Sequence, residues 1–260
     1  MTDPRLTPDP ALVEARTPAS LVRPITDLCR TPKGPRDRQL LLGASVKVLS
    51  QQGGWSYVQA KLDGYCGYVE TQSLGAETTP SHRISNPASH VYLRADMKSP
   101  DQMPLSFGCT VTVLKEEGSF VQTPQGFIPR RHVKPISEPS NDPTVMAEML
   151  VGTPYLWGGN SRQGIDCSGL VQMACIACNI PCPGDADMQE ASVGTALPNG
   201  TPLQRNDLLF WKGHVAIVCS PKTLIHANAH TMSVSYEPIA QAITRIAQTD
   251  GPVTAHKRLL

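Results

Sequence analysis

Residues 166–178 read Asp166-Cys-Ser-Gly-Leu-Val-Gln-Met-Ala-Cys-Ile-Ala-Cys178, and this stretch decides the fold of the C-terminal half of the chain. Its apolar residues recur at helical spacing, which predicts a buried helix. Asp166 is a competent N-cap for that helix. The cap places the Cys167 thiol in the first turn, where unsatisfied N–H groups and the helix dipole favour a thiolate. From this stretch alone, a cysteine nucleophile and an inert buried thiol are both open interpretations.

The composition of the 260-residue chain is that of an ordinary globular protein with room for two or three domains. Its formal net charge is only +1, so neither a nucleic acid nor an anionic membrane is an expected partner. The first ten residues contain neither a basic nor an apolar segment, and no stretch is long enough to span a bilayer, which predicts a cytoplasmic protein. In that compartment the eight cysteines are expected to be free thiols.

Two similar blocks of short strands follow an N-terminal arm, residues 1–17, that is rich in Pro, Asp and Thr. The first block, 18–76, has alternating segments separated by Gly-containing turns, and its last aromatic strand contains Gly67-Tyr-Val. The second block, 82–136, repeats this order and has Gly126-Phe-Ile at the matching place. Both blocks resemble the bacterial SH3-like domain, a small barrel of five or six strands.

The C-terminal half, 143–260, follows a Pro-containing linker at 137–142. The expected elements are a helix over roughly 143–151, the buried helix that begins at Cys167, a polar loop over 180–189, three strands within 208–211, 214–219 and 224–227, a helix opened by Glu237-Pro238, and an edge strand within 252–258. A helix followed by antiparallel strands predicts an α+β domain.

Two histidines downstream of Cys167 have a spacing that suits a cysteine nucleophile. Such a thiol needs a base for its proton, a group that orients the base, and donors for the oxyanion. His214 and His226 lie twelve residues apart, which is enough for a strand, a turn and an antiparallel return. Their imidazoles can therefore lie side by side on one face of the sheet as a Cys–His–His relay. The alternative is a pair of strand histidines with structural hydrogen bonds, and His230 is expected in a loop.

The chain resembles the NlpC-type family of cell-wall cysteine peptidases in four segments. These are Gly152-Thr-Pro-Tyr-Leu-Trp-Gly-Gly-Asn-Ser…Gly-Ile-Asp-Cys-Ser-Gly-Leu-Val-Gln172, Asn206-Asp-Leu-Leu-Phe-Trp, Gly213-His-Val-Ala-Ile and Ile225-His-Ala. The resemblance covers about 143–258, and the two SH3-like blocks ahead of it are similar to the subgroup of γ-D-glutamyl-diamino-acid peptidases. It implies a papain-like fold and hydrolysis of the bond between the γ-carboxyl of D-Glu and the diamino acid of peptidoglycan stem peptides.

The resemblance also implies roles for individual residues. Cys167 would be the nucleophile, His214 the general base and acid, and His226 the group that orients His214. Tyr155 matches a tyrosine whose hydroxyl lies near the oxyanion, beside the Cys167 backbone N–H. A core aromatic is the alternative interpretation of Tyr155.

Four further residues match the substrate pocket of the family. Trp157, Asp166 and Ser168 match residues that line the D-Glu side, and Asp185 matches an acidic position that helps hold the free amine of the N-terminal L-Ala. A buried carboxylate that faces this amine would explain selectivity for cut stem peptides, because an uncompensated charge is costly to bury. Trp157 as a core aromatic and Asp166 as a simple N-cap are the alternatives.

The chain differs from the family at two positions. Gly184 stands where family members often have Arg, which bears on the electrostatics of the amine site, and Asn206 stands where they often have Gly, a matter of turn chemistry. In the subgroup the first SH3-like domain also contributes acidic or tyrosyl contacts to the amine, for which Tyr65, Tyr68 and Glu70 are the candidates.

The cysteines at 175, 178 and 182 suggest a zinc site at first sight. Cys175 and Cys178 share a helix face, but they also fit the buried stripe, and the sequence offers no fourth ligand. Structural thiols are therefore expected, with no metal and no cofactor. Asp207 is expected to cap a turn.

These observations predict a cytoplasmic cysteine peptidase that acts on released murein peptides and releases L-Ala-γ-D-Glu from the diamino acid. The alternatives are an amidase or acyltransferase on the same scaffold, and a glycan- or peptide-binding SH3-like protein with a vestigial cysteine site. Rapid alkylation of Cys167 by iodoacetamide would favour an enzyme, and slow alkylation the binding protein. The preferred diamino acid and the oligomeric state do not follow from the sequence.

Overall fold

The computed structural model describes residues 3–259, so the ends of the predicted arm and of the predicted peptidase domain, Met1, Thr2 and Leu260, lie outside the described residues. The chain divides into two compact units with the boundary between Glu138 and Pro139. None of the helices within residues 3–259 has the length and apolar character needed to cross a membrane.

The first repeat of the N-terminal unit is a seven-stranded antiparallel sheet in the order β3-β2-β6-β5-β4-β1-β7. Its alternating segments bury Leu28, Leu49, Val58 and Val69 completely. A 3-10 turn in the arm (Pro10–Leu12), capped by Asp9, precedes the sheet. The strands are β1 (Thr17–Leu21), β2 (Ile25–Cys29), β3 (Arg36–Leu41), β4 (Ser45–Gln52), β5 (Trp55–Ala60), β6 (Cys66–Glu70) and β7 (Leu74–Ala76).

The second repeat has the same pairing pattern as the first. Its strands are β8 (His82–Ile84), β9 (Ala88–Tyr92), β10 (Asp101–Ser106), β11 (Thr110–Val111), β12 (Lys115–Glu117), β13 (Phe120–Thr123), β14 (Gly126–Pro129) and β15 (Val133–Pro135). Strand β2 pairs with β3 and β6, as β9 pairs with β10 and β14. Strand β1 pairs with β4 and β7, as β8 pairs with β11 and β15. The prediction of a duplicated SH3-like barrel is therefore confirmed.

A glycine turn of the first repeat packs against the second. Gly43 follows β3 with φ +79°, and a Cβ at this position would lie 2.2 Å from the Thr110 carbonyl oxygen. The Thr110 N–H donates to the Leu42 carbonyl across the same contact at 2.9 Å. Glycine is needed here for both its backbone conformation and its lack of a side chain.

The C-terminal unit is α+β, as predicted, with a six-stranded antiparallel sheet in the order β18-β23-β19-β20-β21-β22 and a small hairpin of β16 and β17. Its strands are β16 (Asn160–Ser161), β17 (Gly164–Ile165), β18 (Thr195–Ala196), β19 (Asp207–Trp211), β20 (His214–Ser220), β21 (Thr223–Asn228), β22 (Ser233–Pro238) and β23 (Ala255–Arg258). Its helices are α1 (Pro143–Glu148), α2 (Cys167–Ala177), α3 (Ala186–Ser192) and α4 (Ile239–Ile246).

One face of this sheet is covered by α4. Ile239, Ala242 and Ile246 of the helix pack with Ala216 and Leu224 of the sheet in one apolar cluster. Because neighbouring residues in a strand point to opposite faces, the other even-numbered residues of β20 share the side of Ala216. His214, the first residue of β20, therefore lies on the face of the sheet that α4 covers.

Four predictions of local structure are wrong in detail. The loop predicted over 180–189 contains the start of α3, whose N-cap, Asp185, follows directly on Pro183-Gly184. Strand β22 was not predicted, because Val234 is its one fully buried residue and it has no apolar alternation. Helix α4 begins at Ile239 with Pro238 as its N-cap, as predicted. The predicted edge strand, β23, lies between β18 and β19, and the helix predicted over 143–151 ends as α1 at Glu148.

Candidate active site

The start of α2 is fixed by the Asp166 carboxylate, which accepts hydrogen bonds from three groups. Its Oδ1 accepts from the Gly169 N–H at 2.7 Å and from the Ser168 hydroxyl at 3.2 Å. Its Oδ2 accepts from the Gly158 N–H at 2.8 Å, in the glycine loop ahead of the helix. Asp166 is the N-cap that the sequence predicts, and it also ties the loop of Trp157 to the helix that carries the thiol.

The Cys167 thiol lies against the beginning of β20. Its Sγ is 3.9 Å from the Gly213 carbonyl oxygen, and the side chain is only 6% exposed. Gly213 directly precedes His214, so the structure brings the predicted nucleophile and the predicted base to the same point of the sheet.

The two predicted histidines are hydrogen-bonded to each other. His214 Nε2 and His226 Nδ1 are 2.9 Å apart, and His226 is completely buried. The pairing of Ile217 with Ile225 places both imidazoles on the face that α4 covers, as diagonal neighbours on adjacent strands. Because His214 uses Nε2 for this bond, its Nδ1 is the nitrogen that remains for the thiol.

Burial holds both the thiol and the imidazoles in their neutral forms. Burial, and then the negative charge of Asp166, raise the pKa of Cys167 to about 12. Burial lowers the pKa of His214 to about 4 and that of His226 to about 3. The prediction that the helix start lowers the thiol pKa is therefore wrong, because desolvation outweighs the effect of the helix N-terminus.

The two predicted aromatic residues, Tyr155 and Trp157, differ in how far they are exposed to solvent. Tyr155 is half-buried, and burial followed by the nearby charges of Cys167 and Asp166 raises the pKa of its hydroxyl, which places this hydroxyl in the electrostatic surroundings of the thiol. Trp157 is 70% exposed, so the alternative of a core aromatic is wrong for it.

Ser168 and Asp185 are connected through Gln189, a residue that the sequence did not single out. The Gln189 side-chain N–H group donates to the Ser168 carbonyl at 2.9 Å and to the Pro183 carbonyl at 2.9 Å, and Gln189 is completely buried. This bridge holds the segment before α3 beside the start of α2. Asp185 is half-buried at the N-terminus of α3 and does not cap it with its carboxylate.

A second missed residue, Glu237, contacts the histidine pair. Its Oε2 is 3.0 Å from His226 Nε2, although the ring N–H does not point straight at the oxygen. The same carboxylate accepts two hydrogen bonds from Arg245, at 3.0 and 2.6 Å. The sequence signal for Glu237 was its place directly after Ser-Val-Ser-Tyr (233–236), a segment that is recognisable as a strand only once its pairing with β21 is known.

Several predicted residues lie away from this cluster. His230 is in an exposed turn. Asp207 accepts from the Gln204 N–H, as predicted for a turn, and also binds His256 and Arg258. Asn206 has φ +71°, a left-handed conformation that Asn tolerates, which accounts for its place at a Gly position.

The candidates in the first SH3-like repeat have structural contacts within their barrel. The buried Tyr65 ring lies under the Arg38 guanidinium at 5.1 Å, and the Tyr68 ring packs on Tyr57 at 5.0 Å. Glu70 is exposed and accepts a hydrogen bond from Gln72. Among residues 3–259, the structure places no group of three or more His, Cys, Asp or Glu side chains where they could hold a metal ion.

Comparison with known proteins gives matches in both units. The model of the NlpC/P60 family matches residues 152–249, and that of the bacterial dipeptidyl-peptidase Sh3 domain matches residues 28–74. The chain is 30% identical to the gamma-D-glutamyl-L-lysine dipeptidyl-peptidase of Bacillus subtilis (strain 168) over 233 residues, which cover 79% of this chain and 76% of that protein. Its identity to the protein of the same name from Bacillus cereus (strain ATCC 10987 / NRS 248) is 27%, over 78% of this chain and 70% of that protein.

A solved structure shares the fold of nearly the whole chain. The crystal structure of an NlpC/P60 family protein from Bacillus cereus ATCC 10987 matches with a TM-score of 0.78 and 20% sequence identity. The match covers 94% of this chain and 100% of that structure. At this identity it shows a common fold.

Proposed function

Because the chain belongs to the NlpC/P60 family and is a cysteine peptidase of the peptidoglycan-cleaving type, we propose that it hydrolyses the γ-D-glutamyl–diamino acid bond of stem peptides with a free N-terminal L-Ala. The products are L-Ala-γ-D-Glu and the remaining peptide, which begins with the diamino acid. Support comes from two relatives that are named gamma-D-glutamyl-L-lysine dipeptidyl-peptidases. Their name points to L-Lys as one diamino acid to test, and meso-diaminopimelate is the other.

The observation that carries this proposal is the position of Cys167 Sγ, at the capped start of α2, against the carbonyl of Gly213, the residue directly before His214 in the hydrogen-bonded histidine pair. His214 Nδ1 takes the thiol proton as Sγ attacks the γ-carbonyl carbon of D-Glu. The oxyanion that forms is stabilised by the Cys167 backbone N–H and the Tyr155 hydroxyl. The imidazolium then protonates the leaving amine of the diamino acid, which departs and leaves a thioester on Sγ.

Hydrolysis of the thioester uses the same groups in the reverse roles. His214 removes a proton from water, which attacks the thioester carbonyl and releases the γ-carboxylate of D-Glu. The proton returns to the thiol, and Cys167 and His214 are again neutral. His226 holds His214 in position throughout through the 2.9 Å bond to Nε2.

The free N-terminus of the substrate is assigned to Asp185. This half-buried carboxylate is held beside the start of α2 by the Gln189 bridge, and it can pair with an ammonium group at the distal end of a dipeptide. An N-acylated substrate offers Asp185 no ammonium group and places an acyl group against the carboxylate, which is costly. An enzyme with this preference acts after an amidase has freed the stem peptide from the glycan, which suits the recycling of released murein peptides.

The test compares wild type with Cys167→Ala and, as a matched control, Cys175→Ser, whose buried thiol lies on the same helix two turns from the site. The substrates are L-Ala-γ-D-Glu-L-Lys, its meso-diaminopimelate counterpart and the N-acetylated forms, with products identified by mass spectrometry. We expect Cys167→Ala to abolish the release of L-Ala-γ-D-Glu and Cys175→Ser to retain it. Turnover by Cys167→Ala would overturn the mechanism, and equal cleavage of acetylated peptides would overturn the role of Asp185. The cytoplasmic location stays a prediction, which fractionation of the native host tests.

A further inference from the structure

The histidine pair continues as a line of polar groups across three strands and into α4. Glu237 pairs with Leu224 in the register of β21 and β22, and His226 pairs with Ser235, so Glu237 and His226 are diagonal neighbours on one face. His226 and His214 are diagonal neighbours on that face as well. Arg245, from α4, closes the line with two hydrogen bonds to Glu237. The order of the groups is Arg245, Glu237, His226, His214.

The contact between the two imidazoles holds a single proton. A neutral imidazole has one N–H, so the 2.9 Å contact between His214 Nε2 and His226 Nδ1 needs one donor and one acceptor. If His214 donates from Nε2, its Nδ1 has a free lone pair and His226 is protonated at Nε2. If His226 donates from Nδ1, His214 is protonated at Nδ1, and this nitrogen cannot take the thiol proton. The first tautomer is competent as a base and the second is not.

The group that faces His226 Nε2 distinguishes these two tautomers. Glu237 is an ionised carboxylate, which can only accept, because its hydrogen bonds with Arg245 hold the pKa of Glu237 below its usual value. An N–H dipole at His226 Nε2 is attracted to an oxygen 3.0 Å away, whereas a lone pair there is repelled. The attraction does not require a straight hydrogen bond, and the completely buried imidazole has little water to screen it.

We propose that Glu237, held by Arg245, is a positioning residue that selects the tautomer in which His214 Nδ1 is free to accept the Cys167 proton. Glu237 keeps its charge throughout and touches neither the substrate nor the thiol. When His214 becomes an imidazolium, the same carboxylate also stabilises the positive charge through His226. The inference rests on the proposed roles of Cys167 and His214, and it adds a fourth and a fifth residue to the relay.

The test uses the full chain with the Glu237→Gln variant and two measurements. The first is the 15N spectrum of histidine-labelled protein, in which protonated and unprotonated ring nitrogens are distinct. In wild type we expect His214 to be protonated at Nε2, and in Glu237→Gln we expect protonation to appear at Nδ1. The second is turnover of L-Ala-γ-D-Glu-L-Lys, where we expect kcat to fall about 10- to 100-fold, as for other groups that orient a functional imidazole, with KM changed less than about 3-fold.

Asp207→Asn is the matched control, because Asp207 is a completely buried carboxylate of the same sheet that also binds a histidine and an arginine. His256 Nε2 lies 2.7 Å and Arg258 Nε 2.8 Å from its oxygens, and this cluster has no contact with the relay. The control should lower the melting temperature and leave kcat and the His214 signals unchanged. If Glu237→Gln keeps the wild-type tautomer and kcat, or if Asp207→Asn loses as much kcat, the proposal is overturned.

A second variant, Arg245→Met, covers the case in which Glu237→Gln does not fold. It removes the main cause that lowers the pKa of Glu237, and the side chains of His226 and His230 lie near that carboxylate as well. Arg245 also lowers the pKa of His214 and of His226, so the rate profile would shift for either reason. The readout is therefore the nitrogen spectrum, in which protonation of His214 at Nδ1 should appear at a higher pH than in wild type, since a protonated Glu237 can donate to His226 Nε2 and favour the wrong tautomer. A nitrogen spectrum that keeps the wild-type tautomer at every pH contradicts the proposal. The nitrogen spectrum needs no substrate, so failure of the tripeptide to react would count against the proposed function alone.

Discussion

Replacing Asp166 tests how one carboxylate sets both the stability of the C-terminal unit and the state of the thiol. In Asp166→Ala, the Gly169 N–H loses its cap and the buried Gly158 N–H loses its acceptor. A lost N-cap costs about 1 kcal/mol, and a buried N–H without a partner costs about 1–3 kcal/mol. We expect the free energy of unfolding of this unit to fall by about 2–4 kcal/mol. Asp166→Asn keeps one oxygen for the cap, so about half of that loss is expected.

The Asn variant should also make the thiol easier to ionise. Burial comes first and the charge of Asp166 second among the causes that raise the pKa of Cys167, so removal of the charge lowers this pKa. Iodoacetamide reacts with the thiolate, and the pH at which Cys167 is alkylated at half its maximal rate should therefore move down. Peptide mapping separates this reaction from that of the partly exposed Cys178 and Cys219.

The assays for these two effects are calorimetry of the full chain and alkylation over a pH series. Asp142→Ala is the control, because Asp142 caps α1 through the Thr144 N–H at 3.0 Å and has no contact with the thiol. This control should cost about 1 kcal/mol and leave the alkylation profile unchanged. The reasoning is refuted if the free energy of unfolding of Asp166→Ala lies within about 0.5 kcal/mol of the wild-type value, which is the range of ordinary surface substitutions. It is also refuted if Asp166→Asn moves the alkylation profile to higher pH.

Two further predictions concern the base and the N-terminal unit. Burial lowers the pKa of His214 to about 4, so kcat/KM should stay constant from neutral pH to about pH 5 and halve near pH 4. Initial-rate measurements that show an acidic limb near the ordinary histidine pKa of 6.5 would contradict this. Gly43→Ala should lower the free energy of unfolding of the N-terminal unit by about 2–3 kcal/mol, because the residue has a positive φ and the new Cβ would collide with the Thr110 carbonyl. Gly53→Ala is the control, since Gly53 also has a positive φ but has open space around it. In the same calorimetric measurement this control should cost about 1 kcal/mol.

The parts of the fold that the sequence predicts are those in which local pattern and tertiary environment agree. Helix α2 is an apolar stretch with an Asp cap, and it is buried along nearly its whole length. The two barrels follow from repeated alternation around turns. Strand β22 was missed because an edge strand with a polar outer face has little apolar pattern, and its partner β21 alone makes it a strand. The seven-residue α3 was missed because a short polar helix lacks periodicity.

The residues of the candidate site also fall into a group that the sequence predicts and a group that it does not. His214 and His226 are predictable because a fixed strand spacing brings them together, and Cys167 because it follows the Asp cap of a buried helix. Gln189 and Glu237 were not, since their contacts depend on where α3 and β22 lie in space. The thiol pKa was predicted in the wrong direction for a similar reason. The sequence shows the helix start that stabilises a thiolate, but the desolvation that opposes it is a property of the packed structure.

The neutral resting state changes how thiol reactivity can be interpreted. With the pKa of Cys167 raised to about 12 and that of His214 lowered to about 4, both groups are neutral at pH 7. Slow alkylation at neutral pH is therefore expected of a competent enzyme of this kind, and it does not indicate a vestigial site. In the proposed mechanism, proton transfer to His214 then has to accompany the attack of Sγ on the substrate carbonyl. A thiol in this state is also protected from oxidation, which requires the thiolate, until a substrate occupies the site.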